Sequence, residues 1–479
     1  MKRLSAVVGA CVLTFGLFAQ HWRAVGRGCN SPAEVQTLYG DSVSDRLLAG
    51  GTFLYMYNPE DTVLGVGQSA WNGTRWDSLA HRIQFIGGPG SAQQTYWYLR
   101  FGGELYACGG FSFQNQNGDW NSYLAKLNED SRRWEDLGCL NSNLGGIQTL
   151  VPEKPQDQMF ATGYSGELCG YPESCVYRYD GTNFHEWPPF QQIPYDGGNY
   201  VGLIFEFQDN MYMTGSFRDP YSEGIVTFMR HNGSEWEYVP GWNTSSPIKD
   251  ISIRNDTLYV AGAFRNSSSG PGDLVAAFNG ETWNDMGGGL RLTQNPPAAA
   301  ALDLEWFHGE LYVAGAFNRA ADVNVQGLAK WNGHQWCSLP GYFYNTNFET
   351  FRIGDMTVWR DSLFICGGFT TVDGEPVRQV AQWIGGDQMQ DCSAPVGIAE
   401  VAQELALVAT QIGSTWRVQT PYTAYWRVLV SDASGRQLRT ERVTNTFVLD
   451  LDHWASGIYV IQATDELGIR SYTKVWKEE

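Results

Sequence analysis

The stretch LYVAGAFNRAADVNVQGLAKWNGHQW, from Leu311 to Trp336, decides the fold. It reads as an apolar strand closing on Gly315, a polar loop, a second strand ending in the turn Asn332-Gly333, and a third strand begun by Trp336. Alternating β-branched and aromatic residues make these strands, and Asn-Gly between two of them is the strongest short-range hairpin signal. The unit is a β-meander.

The glycine that closes the first strand recurs at Gly50, Gly109, Gly163, Gly215, Gly262, Gly315 and Gly367. A period of roughly fifty residues with three or four strands per unit predicts the blades of a propeller. The hairpin recurs with it, as WNGTRW (71–76), LNEDSRRW (127–134), YDGTNF (179–184), HNGSEW (231–236), FNGETW (278–283) and WNGHQW (331–336). The seventh copy, Trp383-Ile384-Gly385-Gly386, stops before its tryptophan. Trp22-Arg23-Ala24-Val25-Gly26 supplies one, with the spacing of Trp283 to Gly287. The expectation is therefore an all-β chain: a seven-bladed β-propeller over residues 20–390, closed by the N-terminal strand. Closure removes the open strand edges that template aggregation.

Residues 1–19 carry Lys2 and Arg3, an apolar run from Leu4 to Phe18, and Ala19 before Gln20, the pattern of a cleaved secretory signal too short to span a bilayer. No transmembrane segment is expected in the mature chain. With 51 acidic against 32 basic residues the net charge is -19, which argues against nucleic acid as a partner, because a phosphate backbone demands a basic patch. Of nine cysteines, Cys11 lies in the leader and eight remain for an oxidising compartment. Cys169 and Cys175 flank a turn-forming loop and are expected to pair. Cys29 and Cys392 lie beside the closing strand and form a second candidate clasp. The seven histidines show no metal-ligand spacing, and His231 and His334 are expected to be exposed turn residues. No nucleophile elbow, phosphate loop or dinucleotide fingerprint occurs, so the sequence names no catalytic residue and no cofactor.

The repeat ends near Asp387. Residues 391–402 read as a linker, and residues 403–479 as a small antiparallel β-sandwich with strands at Trp426–Asp432, Phe447–Leu451, Gly457–Ala463 and Arg470–Trp476. This block, VLVSDASGRQL (428–438) followed by FVLDLDHWASGIYVIQATDELGIRSYTKVWK (447–477), resembles the C-terminal sorting domain of the type IX secretion system of Bacteroidetes. The resemblance implies export to the cell surface or the medium via the periplasm, with that secretion machinery as partner. The Pro-Asn-Pro segment common at the start of such domains is absent. The repeats are similar to kelch propellers, whose Gly-Gly pair survives at Gly109-Gly110 and Gly367-Gly368. Kelch-like folds serve oxidases, lyases and binding modules alike, so the fold does not give the function.

Loops of variable length flank the innermost strands and carry Tyr195, Tyr200, Trp242, Tyr342 and Tyr344. Flat rings suit sugar or peptide ligands, because they bury area at little entropic cost. The leading expectation is a binding propeller for carbohydrate or protein; the alternative is a polysaccharide hydrolase or lyase. Asp250, Asp303 and Asp355 hold one position in blades five, six and seven, whose counterparts by residue count are Trp97, Val151 and Leu203 in blades two to four. Three converging carboxylates would each accept a neighbouring strand's amide or together hold a cation, for which oxygen-only ligands favour calcium.

Overall fold

The computed structural model describes residues 21–30, 33–80, 93–114, 117–137, 146–153, 158–168, 171–194, 198–265, 270–293, 299–345, 351–384, 392, 407–412, 415–420, 425–432, 436–465 and 470–477. The leader at 1–19, Cys169 and Tyr195 lie outside them. The described residues form antiparallel strands, with one 3-10 turn at Pro188–Gln192. The chain divides into two compact units, Met1–Val396 and Gly397–Glu479.

In the first unit the repeat becomes seven groups of four strands. Sheet six shows the pattern: Ala300–Phe307, Glu310–Ala316, Leu328–Trp331 and Trp336–Ser338, each paired with the next. The other first strands are Val35–Asp41, Gln94–Phe101, Ile147–Glu153, Tyr200–Phe207, Ile248–Arg254 and Ile353–Trp359. Sheets three and four join through the bridge between Tyr164 and Tyr200. Sheet seven takes its fourth strand from the other end of the chain: His21–Ala24 pairs with Val380–Ile384, Trp22 opposite Trp383.

The recurring residues have steric causes. A Cβ on Gly315 would lie 2.2 Å from the carbonyl oxygen of Ala300, where the first strand begins. The same carbonyl stands 2.2 Å from a Cβ on Gly109, 2.1 Å on Gly163 and Gly215, 2.6 Å on Gly262 and 2.5 Å on Gly367. In sheet one the residue so placed is Gly51, 2.2 Å from Glu34 O and opposite Val35, and not Gly50, which lies opposite Thr37. In the hairpins, Asn332 Oδ1 accepts the amides of His334 and Gln335, and Gly333 takes a φ of +96° that only glycine adopts freely.

The aromatic at the first or second position of each fourth strand packs between neighbouring sheets. Trp76 Nε1 donates to Val25 O (3.0 Å), Trp236 to Pro189 O (2.8 Å), Trp283 to Pro240 O (2.7 Å), Trp336 to Met286 O (2.6 Å) and Trp22 to Pro340 O (2.8 Å). Each acceptor lies just past the fourth strand of the preceding sheet, so the indole fills the seam apolarly and ties it with one bond. Phe184, which has no N–H, fills that place in sheet three, and Trp134 in sheet two donates to Gln68 Oε1. His231 is buried rather than exposed, because its ring packs against Trp236 and Trp187. His334 is exposed as expected.

Cys392 is bonded to Cys337 of sheet six, not to Cys29. Cys29 is buried and its thiol points to Gln379 Oε1 instead, at 3.2 Å. The expected partner of Cys175, Cys169, lies outside the described residues; Cys175 Sγ donates to Asn199 O at 3.1 Å.

The second unit has two antiparallel sheets, one of Val408–Ile412, Thr415–Gln419 and Thr446–Asp450, the other of Gln437–Val443, Trp426–Asp432, Gly457–Asp465 and Arg470–Lys477. Alternate residues from both, Trp416, Val418 and Leu449 with Trp426, Val428, Ile461 and Val475, share one core.

Two outcomes are expected. Deleting residues 20–26 should abolish soluble protein, whereas Trp22→Phe, which keeps the strand and loses the indole donor, should lower unfolding free energy by about 1–2 kcal/mol in denaturant titration. Non-reducing peptide mapping should recover Cys337 joined to Cys392, with Cys29, Cys108 and Cys366 alkylated only after unfolding, because all three are buried.

Candidate functional site

Every first strand of the first unit carries a bulge near its start. The residue after the bulge is Thr37, Trp97, Thr149, Leu203, Asp250, Asp303 or Asp355, opposite Gly50, Cys108, Thr162, Thr214, Ala261, Ala314 or Cys366 respectively. The counterpart in sheet three is thus Thr149; Val151 pairs with Phe160, two places further on. A single register position therefore holds aspartate in three sheets and Thr, Trp, Thr and Leu in the others.

The three aspartates converge. Asp250 Oδ2 accepts the amide of Leu304 (2.8 Å), Asp303 Oδ2 that of Met356 (2.6 Å) and Asp355 Oδ2 that of Leu38 (2.6 Å). Each carboxylate thus satisfies the residue just past the equivalent position in the next sheet. The next rung repeats the device with Thr357 Oγ1, which accepts the Gly40 amide at 3.2 Å. Crowding three carboxyls and Glu305 in one protein-lined space raises their pKa values, chiefly by desolvation: Asp250 and Asp355 to about 6, Glu305 to about 7, and Asp303 well above the usual range. The four residues remain partly solvent-exposed. No group of three or more His, Cys, Asp or Glu able to hold a metal occurs among the described residues.

Across from the acids the same position makes a hollow. Trp97 and Leu203 offer no acceptor to a neighbouring amide. With Thr149, Tyr200, Ser216 and Lys249 they line a cavity of about 390 Å³. The Tyr200 ring packs 4.8 Å from that of the exposed Tyr164, and burial pushes its hydroxyl up to about 12. Tyr96 bonds Gln94, and Gly202 leaves room for the Tyr200 hydroxyl, which a Cβ would approach to 3.3 Å. Of the other loop aromatics, Trp242 belongs to the core, packed on Phe264 and Trp283 with Nε1 toward Thr227 Oγ1. Tyr342 and Tyr344 are exposed on a separate small sheet built with Thr371–Val372 and Glu375–Pro376, and they do not line the cavity. Trp97 and Tyr164, which do belong to the aromatic cluster or its rim, sit inside strands where alternation alone marks them as ordinary core.

The raised carboxyl pKa values set a sign. An unfolded aspartate titrates near 3.9 and an unfolded glutamate near 4.3, so between about pH 4 and 7 the folded chain binds more protons than the unfolded one. Stability from this cluster is present below pH 4 and is lost as pH rises through 6 to 7. Asp303→Asn keeps an oxygen for the Met356 amide and removes the central charge. It should raise the melting temperature at pH 8 by about 2 °C and leave it unchanged at pH 4, read by calorimetry.

No family model and no curated protein matches the chain. Among solved structures it is similar to the extracellular domain of a putative one-component system from B. thetaiotaomicron, at 10% identity over 94% of this chain and 69% of that one, with a TM-score of 0.29. It is also similar to the AfRom2 CNH domain, at 8% identity over 77% and 100%, TM-score 0.36, and to a fungal alcohol oxidase in complex with copper, at 9% identity over 78% and 95%, TM-score 0.26. These similarities are too loose to carry function.

Proposed function

We propose that the seven sheets form a closed, kelch-like seven-bladed propeller that binds a small carbohydrate in the hollow between Trp97, Tyr200 and Leu203. The protein is exported to the cell surface or the medium, and residues 403–479, within the second unit, are its type IX sorting domain. Three features support closure: the amide bonds from sheet five through six and seven to sheet one, the Trp76 bond to Val25, and the pairing of His21–Ala24 with Val380–Ile384. The observation that carries the ligand reading is the cavity. It has the volume of a small-molecule site, and its Trp and Tyr faces are framed by hydroxyls of Thr149 and Ser216. Binding is favoured over cleavage because the carboxylates a hydrolase would recruit are each held by a neighbouring sheet's amide.

A glycan array probed with the purified full chain should show binding without new reducing ends, and Trp97→Ala should weaken it at least tenfold. Undiminished binding by that variant would remove the cavity from the account. In a host with the secretion system, a chain ending at residue 427 should accumulate in the periplasm with its first unit folded; surface display of that truncation would refute the sorting role.

A further inference from the structure

The charge of the cavity wall narrows the ligand class. Lys249 lines the hollow, and no carboxylate does. In a chain of 51 acidic and 32 basic residues, a site with a cation and no anion runs against composition. The other cation near the start of a first strand, Arg352, is paired with Glu34. Lys249 makes no hydrogen bond or ion pair with the described residues. Its sequence neighbour Asp250 is directed to the Leu304 amide and is not among the residues that line the hollow.

Resting on the binding reading above, we propose that the ligand is an acidic oligosaccharide. Trp97 and Tyr200 take its apolar ring faces, Thr149 and Ser216 its hydroxyls, and Lys249 its anionic substituent. A lysine is a compact point charge with three donors and accepts carboxylate or sulfate equally, so the shared chemistry is a sugar chain bearing anionic groups. The net charge of -19 does not forbid this. At 0.15 M salt the Debye length is about 8 Å, so distant carboxylates are screened while a contact inside the hollow is not.

The test is calorimetric titration of the full chain at 0.15 M salt with three oligosaccharides of equal length: oligogalacturonate, a sulfated galactan fragment and a neutral galactan fragment. At least one acidic ligand should bind ten times more tightly than the neutral one, and which one does so separates carboxylate from sulfate. Lys249→Gln should lose about tenfold for that ligand, and Lys249→Arg should retain binding. Lys249 is exposed, so both variants are expected to fold, which their melting curves verify. Equal binding of neutral and acidic chains, unaltered by Lys249→Gln, overturns the acidic assignment while leaving carbohydrate binding in place. Binding of none of the three overturns both.

Discussion

A four-stranded sheet leaves amides facing outward along its first strand, and an amide buried without a partner costs as much as a lost hydrogen bond. Among the described residues no backbone ladder joins adjacent first strands of the first unit; the bridge between Tyr164 and Tyr200 runs from the second strand of sheet three to the first strand of sheet four, so side chains must answer those amides. Asp250, Asp303 and Asp355 do so for the sheet that follows each of them. At the opposite edge, the indoles of Trp22, Trp76, Trp236, Trp283 and Trp336 reach the preceding sheet's backbone. The glycine anchors, the turn asparagines and the strand lengths bring these two kinds of seam into register.

The same requirement explains the asymmetry of the interior. Where the post-bulge residue is an acceptor, neighbouring first strands are drawn together and the space between them is polar. Where it is Trp97 or Leu203, no such bond forms and room is left for something else. One position thus divides the interior into a carboxylate sector and an aromatic sector, with Thr37 and Thr149 as intermediate cases.

Most of the architecture was legible in the sequence because it rests on local chemistry. Asn-Gly turns, a tryptophan three places after the glycine and a period near fifty need only neighbours to be read, and even the distant pairing of Trp22 with Trp383 follows from one missing aromatic. What escaped depends on register or on space. Of the adjacent Gly50 and Gly51 only pairing shows that Gly51 makes the close approach, and a hairpin two residues longer in sheet three, Glu153 to Gln158 against Phe307 to Glu310, makes Thr149 rather than Val151 the counterpart of the aspartates. Cys392 could be placed beside sheet seven, but not beside Cys337 in the neighbouring sheet. Trp242 and Tyr200 look alike in a loop; only packing sends one to the core and the other to the cavity wall. The convergence of Asp250, Asp303 and Asp355 was readable from their common offset, and of its two explanations the acceptance of a neighbouring amide matches the observed bonds.

The bond between Cys337 and Cys392 has a mechanical side. Val380–Ile384 is held on one flank by Ser362–Gly367 and on the other by His21–Ala24, and the polypeptide continues from it toward the second unit. Tension applied through residues beyond 392 would, without the bond, peel that strand out and unzip the junction between the two chain ends. With the bond in place, the load passes at residue 392 into the outermost strand of sheet six, and the segment containing Val380–Ile384 becomes a slack loop in parallel with it. A body tethered by its C-terminal side and dragged by flow would yield by shearing sheet six before the pairing of His21–Ala24 with Val380–Ile384 opened.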